Sequence, residues 1–301
     1  MNNILNIIRY KLRYGSTVEW FNFLYVVLRK KQKVIPEVIS IDNTIKKIVK
    51  DKCSVSRFGD GEMLLIGNKP IRFQKWSEEL SKRLQEVISS NNPYHLVCIS
   101  DTFTNLFRFN RKARRFWRTH FFLSGDLWDK YLTPGRAYYN TFMTRPYMDY
   151  KSKENTGQWF DMLKTIWEGR DIIFIEGDKS RLGVGNDLFS NASSIRRILC
   201  PPTNAFESYA EIFRKALEQD KSVLFLIALG PTATVLAYDL FQKGYQAIDV
   251  GHVDIEYEWY RMKAKRKVKI LSKYVNEAPN GSNVVNSVDE EYYSQVIARI
   301  E

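Results

Sequence analysis

Two carboxylates stand two residues apart between glycines in the stretch Ser56-Arg57-Phe58-Gly59-Asp60-Gly61-Glu62-Met63. The flanking apolar residues predict a strand that ends in a tight turn and holds up both acids. In extended backbone, residues i and i+2 share a face, so Asp60 and Glu62 can point the same way. Two like charges that close repel unless a cation sits between them or one takes up a proton. Hard oxygen ligands of this kind suit Mg²⁺ or Mn²⁺ bridging phosphates. Gly59 and Gly61 admit backbone angles that side chains forbid, and they let a bulky ligand approach. The plain alternative is a polar turn with two solvated acids, since Asp-Gly is a common turn signal.

Other chemistry-bearing residues fall where strands should end. Strand Asp171–Ile175 runs into a long Gly-rich loop, Glu176-Gly177-Asp178-Lys179-Ser180-Arg181-Leu182-Gly183-Val184-Gly185-Asn186-Asp187, expected to lead into a helix. Such a strand, Gly loop and helix is how α/β sheets cradle phosphates. The spacing is not that of a Walker A loop. Strand Ile195–Leu199 leads to Cys200-Pro201-Pro202-Thr203-Asn204. The most apolar run, Ser222–Leu229, reads as a central parallel strand, and Gly230-Pro231-Thr232 then opens helix Ala233–Lys243 with amides free for an anion. Strand Gln246–Val250 ends in His252 and a second acidic cluster, Asp254, Glu256 and Glu258. His252 reads more simply as a structural histidine than as a base, and Ser180, Asn186 and Asp187 could merely brace their loop.

The elements that must position these residues alternate strand and helix. Helices are expected at Val38–Lys50, at Ser77–Ser89 with Ser77 as cap, at Phe160–Trp167, at Ser208–Gln219 and at Glu290–Ile300. Strands are expected at Ser54–Phe58 and Tyr94–Ile99, with a helix or short strand over 62–67. The aromatic and polar run 137–148 suits a pocket lining. With 301 residues, 44% of them hydrophobic, the chain can bury one large α/β core. It carries Cys53, Cys98 and Cys200 far apart, as reduced thiols of a cytoplasmic protein would be.

A net charge of +12 attracts phosphates, nucleic acid or an anionic membrane face. Residues 1–33 hold seven Lys and Arg against Glu19 alone and mix them with aromatics. Such a segment can lie on an anionic membrane surface or pack as a helix on the domain. Its apolar stretch is too short to span a bilayer, which needs ~20 residues. Basic stretches 106–118 and 261–269 would suit nucleic acid, or simply solvated helix faces. A nucleic-acid-binding protein is therefore one alternative, but it leaves the Gly loops and acids without a job. Carboxylates for a metal, loops for phosphates and aromatics for a ring together point to a nucleotide-diphosphate ligand with a divalent cation.

Several blocks resemble one family. Arg57-Phe58-Gly59-Asp60-Gly61-Glu62, Glu176-Gly177 with Ser180 to Leu188, Cys200-Pro201 with Asn204-Ala205-Phe206, Gly230-Pro231-Thr232-Ala233 and Asp249 to Trp259 look like the GT-D type glycosyltransferases, in order, over roughly residues 40–277. The resemblance implies a Rossmann-like fold with a mostly parallel sheet flanked by helices. It divides the chain into a basic amphipathic extension (1–35), a GT-D domain (36–277) and a C-terminal tail with a short helix on the same domain (278–301). It implies a UDP-sugar donor, glucose in the first instance, and a glycan acceptor, lipid-linked or protein-linked, in bacterial surface polysaccharide or glycoprotein synthesis. It implies an Asp-X-Glu metal motif at Asp60 and Glu62 for Mn²⁺ or Mg²⁺, and an important acid near the chain's end, placed within Asp254, Glu256 and Glu258 as the catalytic base of an inverting displacement. Donor contacts are expected from Arg57, Phe58, Gly59, Ser180, Arg181, Gly183, Val184, Gly185, Asn186, Asp187, Asn204, Gly230, Pro231 and Thr232. The expected location is the cytoplasm, at the inner membrane face where residues 1–33 make peripheral contact, and no nucleic-acid partner is expected. A hydrolase of nucleotides or phosphate esters is the other alternative.

Overall fold

The computed structural model describes residues 17–28, 33–284 and 290–301. Helices α1 (Thr17–Leu28), α2 (Ile41–Asp51), α3 (Asp60–Ile66), α4 (Glu78–Ser89), α5 (Arg111–Tyr131), α6 (Thr156–Trp167), α7 (Tyr209–Leu217), α8 (Pro231–Gln242), α9 (Val253–Arg261) and α10 (Glu290–Ser294) surround one sheet. Its strands are β1 (Glu37–Val38), β2 (Ser54–Phe58), β3 (His95–Ile99), β4 (Ala137–Asn140), β5 (Asp171–Gly177), β6 (Ser194–Cys200), β7 (Leu224–Ala228), β8 (Gln246–Asp249) and β9 (Val296–Arg299). The order is β1-β4-β3-β2-β8-β7-β5-β6-β9, and every pairing is parallel.

A parallel sheet covered on both faces needs apolar side chains on both. In β5 and β7 the alternation is visible: Ile172, Phe174, Leu224 and Leu226 join one core, while Ile173, Ile175, Phe225 and Ile227 join the other. The helices start where their caps say. Ser40 Oγ accepts from Asn43 N, and Ser77 Oγ from Leu80 N. From β2 the chain steps outward through β3 and β4. From β5 it steps the other way to β6, and β7 and β8 then fill the gap back to β2. Strand ends part at such a reversal, and ligands bind there.

Four local expectations change. The segment over 290–300 is not one helix: α10 ends at Ser294, and Val296–Arg299 joins the sheet beside β6. The Val-Ile-Ala-Arg sequence satisfies its backbone there on a strand that would otherwise be an open edge. Glu37–Val38 pairs with β4, so α2 begins later than expected, at Ile41. The Asp-Gly-Glu turn is the first turn of α3. No helix follows the 176–189 loop, which runs through turns straight into β6. Within the N-terminal extension, α1 packs on α5: Glu19 pairs with Arg115, Asn22 Nδ2 donates to Arg115 O at 2.9 Å, and Phe21 and Phe122 rings lie 5.8 Å apart. Residues 1–16 and 29–32, which carry most of the expected membrane contact, lie outside the described residues. Among the described residues no helix is long and apolar enough to cross a membrane.

Candidate active site

β2 delivers the first pair of acids. Gly59 caps α3, with Asp60 and Glu62 in its first turn. Glu62 Oε2 accepts from Gly59 N at 2.8 Å, the backward half of a capping box. The two carboxylates therefore do not share a face by strand periodicity. Both nonetheless line one cavity, because the helix start itself forms its floor. Burial raises the Asp60 carboxyl, with Arg145 pulling against it. Burial pushes Glu62 up to about 7, and nearby Asp249 and Asp60 add to the rise. Among the described residues neither acid has a direct ion-pair partner, so burial dominates both shifts.

The cavity, about 530 Å³, opens along the C-terminal ends of the strands. Pro201, Pro202 and Asn204 follow β6, Gly177 ends β5, Leu229 and Gly230 follow β7, Gly251 and His252 follow β8, Arg57 lies near the end of β2 and Asp60 follows it, and Thr141 and Phe142 follow β4. Arg57 is fully engaged: Nε donates to Asp249 O at 2.8 Å, Nη2 to Asp249 Oδ1 at 2.7 Å and Nη1 to Thr144 Oγ1 at 2.8 Å. It crosses directly over Gly251, where a Cβ would lie 1.8 Å from Nη2. At the β6–β7 end, Phe73 covers Gly230, whose φ is +55°, and a Cβ there would meet the ring at 2.7 Å. Asn204 holds the same loop, donating its N to Phe73 O and accepting from Lys75 N, both at 2.8 Å.

Beside Asp60 lies a charged group that the sequence did not reveal. Arg145 Nη2 donates to Glu277 Oε2 at 2.7 Å, and Lys267 also bonds Glu277 and stands 3.7 Å from Asp149. Burial alone would raise the Glu277 carboxyl, but the Arg145 and Lys267 cations outweigh it and hold it well below the usual range. Burial lowers His252 to about 4. Its Nε2 meets Asn276 Oδ1 at 3.0 Å, so near neutral pH it is an uncharged wall residue. Arg145 Nε is buried and has no partner among the described residues.

The second acidic cluster is built differently. Asp254 Oδ1 accepts from Gly183 N at 3.0 Å and Asn186 Nδ2 at 2.7 Å, and Oδ2 accepts from buried Lys273 Nζ at 2.6 Å. Glu258 Oε1 accepts from Asn186 Nδ2 at 2.7 Å and Lys273 Nζ at 3.1 Å. Glu256 Oε2 accepts from Tyr147 N at 3.1 Å and Met148 N at 2.8 Å. Of the three, only Asp254 reaches the cavity wall. Glu176 likewise braces the loop, bonding Arg197 Nη1 at 2.5 Å and Leu182 N at 2.7 Å.

Of the expected donor contacts, Arg57, Gly59, Ser180, Asn204 and Gly230 line the cavity with Asp60 and Glu62. Phe58 is in the core. Pro231 and Thr232 are buried in the first turn of α8. Arg181 donates to Ser272 O at 2.9 Å, and Val184 N donates to Arg181 O. Gly185 O accepts from Arg261 at 3.0 Å. Asp187 is bonded by Lys164 at 2.9 Å and Tyr257 at 2.8 Å. These loop residues and Asn186 hold the loop together behind the wall. Residues not singled out include Phe73, Trp117, Arg145, Asp149 and Glu277. The aromatic and polar composition of 137–148 did flag Arg145's surroundings, while nothing around Glu277 signalled it.

The family description "Glycosyltransferase GT-D fold" matches residues 55–278. The chain belongs to the GT-D-fold glycosyltransferase family. It is 42% identical over 266 residues to the "Probable glycosyl transferase Gly" of Streptococcus gordonii, covering 87% of this chain and 39% of that one. It is 41% identical over 275 residues to "Glycosyltransferase GlyD" of Streptococcus pneumoniae serotype 4, covering 91% and 34%. The chain thus spans little more than a third of these relatives' lengths. A solved domain of unknown function 1792 described as having a distinct glycosyltransferase fold superposes with a TM-score of 0.85 at 42% identity, over 88% of this chain and 96% of that one. Another, described as a new glycosyltransferase from Streptococcus sanguinis, does so with the same TM-score at 38% identity, over 89% and 100%.

Among the described residues no group of three or more His, Cys, Asp and Glu side chains could enclose a metal ion. Among the described residues Asp60 bonds no other residue's side chain, and Glu62 Oε2 accepts from Gly59 N. Two hard oxygens at an open cavity fit Mg²⁺ or Mn²⁺, which keep several waters and take phosphate oxygens to complete their shell.

Proposed function

We propose that this GT-D chain transfers a hexose, glucose in the first instance, from a UDP-sugar to a glycan acceptor in bacterial surface polysaccharide or glycoprotein synthesis. The observation that carries this reading is the cavity at the sheet's reversal, where the Asp60 and Glu62 carboxylates share one wall lining with the cationic Arg145 and Lys267. Relatives described as glycosyltransferases support the reaction class. The donor nucleoside fits the β5–β6–β7 end, where Phe73, Pro201 and Pro202 offer apolar faces to a base and Ser180 a hydroxyl to a phosphate.

Asp60 and Glu62 would hold Mn²⁺ or Mg²⁺, which supplies charge neutralisation on the departing diphosphate. Arg145, charged at any working pH, adds fixed positive potential in a half-enclosed site. Glu277 keeps Arg145 and Lys267 in place. The acceptor oxygen bonds the anomeric carbon as the sugar–diphosphate bond breaks, with inversion, and the acceptor proton passes to a wall carboxylate. Asp149 suits that role because its carboxylate accepts no hydrogen bond among the described residues, whereas Asp254 is met by three donors.

The test is a panel of UDP-sugars with Mn²⁺ or with EDTA, scored by UDP release and by sugar transferred. UDP release that needs the metal and one preferred sugar is the expected result. No response to any UDP-sugar sinks the reading, and sugar released only to water marks a hydrolase.

A further inference from the structure

The cavity is not symmetric in charge. Four cationic side chains reach its wall: Arg57, Lys112, Arg145 and Lys267. Arg57 pairs with Asp249, and Arg145 and Lys267 pair with Glu277. Lys112 has no carboxylate partner among the described residues. It stands in the first turn of α5, one helical turn before Phe116, so the two side chains share a face. Phe116 lines the cavity, yet its residue remains 45% exposed, with Trp117 edge-on to its ring at a centroid distance of 5.5 Å. A half-exposed aromatic at a cavity mouth is a ready stacking surface.

Strand order places this face. Across the sheet, the donor-suited end lies over β5, β6 and β7, the Asp60 and Glu62 pair over β2, and Phe142, the wall residue near Trp117, just beyond β4. A sugar moving from a donor at one end across the acidic pair arrives at the α5 end.

We infer that Lys112 and Phe116 form the acceptor subsite, and that it takes a sugar bearing a phosphate: the ring on Phe116, the anion on Lys112. This rests on the glycosyltransferase reading above. A phosphate of this kind is carried either by a lipid-linked sugar or by a phosphorylated glycan.

Calorimetric titration of the whole chain, with UDP and Mn²⁺ saturating, tests it using glucose 6-phosphate against glucose. The phosphorylated sugar binds about tenfold more tightly, as one charge-assisted contact allows. Lys112→Ala abolishes that preference and Lys112→Arg restores it. Phe116→Ala weakens both sugars while UDP affinity stays unchanged. Equal affinity for the two sugars, or a preference that survives Lys112→Ala, overturns the subsite. Failure of UDP itself to bind the wild-type chain instead overturns the underlying reading. A further arm presents farnesyl diphosphate-linked glucose in micelles: tighter binding than glucose 6-phosphate assigns the phosphate to a lipid carrier, and no gain assigns it to a glycan phosphate.

Discussion

The acids at 60 and 62 and those at 254, 256 and 258 look alike in sequence, alternating along a short stretch after a strand. In the fold they are opposites. Asp254 and Glu258 are closed around Lys273 and Asn186, and Glu256 lies inside the fold with Oε2 on two backbone amides and Oε1 buried without a partner among the described residues. Asp60 and Glu62 face a cavity and are raised by burial, with no ion-pair partner among the described residues. A carboxylate held inside the fold by its neighbours is a structural part, and one that faces a cavity without a cation is a place for a ligand. The partners of the second cluster come from residues 147, 148, 183, 186 and 273, so alternation within the cluster says nothing about them.

Three substitutions would break or sharpen this contrast. Asp60→Asn should lower transfer by about 10²- to 10³-fold at saturating metal, with the thermal midpoint unchanged within a degree or so of wild type, as read by steady-state UDP release and calorimetry. Wild-type turnover would remove Asp60 from the metal. Lys273→Met leaves Asp254 and Glu258 buried without their cation and should cost about 3–5 kcal/mol of stability, measured by urea unfolding. A loss under about 1 kcal/mol would mean that the closed cluster is not held by its charge. Glu256→Gln is the mildest. Burial raises its carboxyl in the folded chain from 4.5 to about 7, against the pull of Arg145. Its contribution is therefore complete below pH 4.5 and is lost as pH rises through about 7. The wild type should lose up to about 3 kcal/mol more than Glu256→Gln over that window, a difference that parallel unfolding curves at pH 4.5 and 7.5 would reveal.

Much of the sheet was legible because buried parallel strands write themselves as apolar runs: Ser54–Phe58, Asp171–Ile175 and the run ending at Leu229 all lie in strands of the structure or overlap them. Asp-Gly-Glu was legible as a strand-end feature but misread in geometry, since glycines in a turn and at a helix start look the same until the capping bond from Gly59 N is seen. The loop at 183–187 looked phosphate-suited because glycine spacing records backbone freedom and not which way amides point. Here Gly183 N points at Asp254. Residues 290–300 misled because α10 stops after one turn and β9 draws its stability from β6, a partner almost a hundred residues away. Glu277 was invisible for a related reason: its neighbours Arg145 and Lys267 meet it only in the folded chain.

Arg57 lies flat across the bare backbone of Gly251 and ties the end of β2 to Asp249 of β8. Any side chain at 251 displaces the guanidinium, and without the guanidinium Asp249 stays buried without its cation. Positions 57, 249 and 251 therefore form a unit of inheritance: tolerated variants should change them together, while Asp60 and Glu62, three and five residues along from Arg57, keep their place on an unchanged helix start.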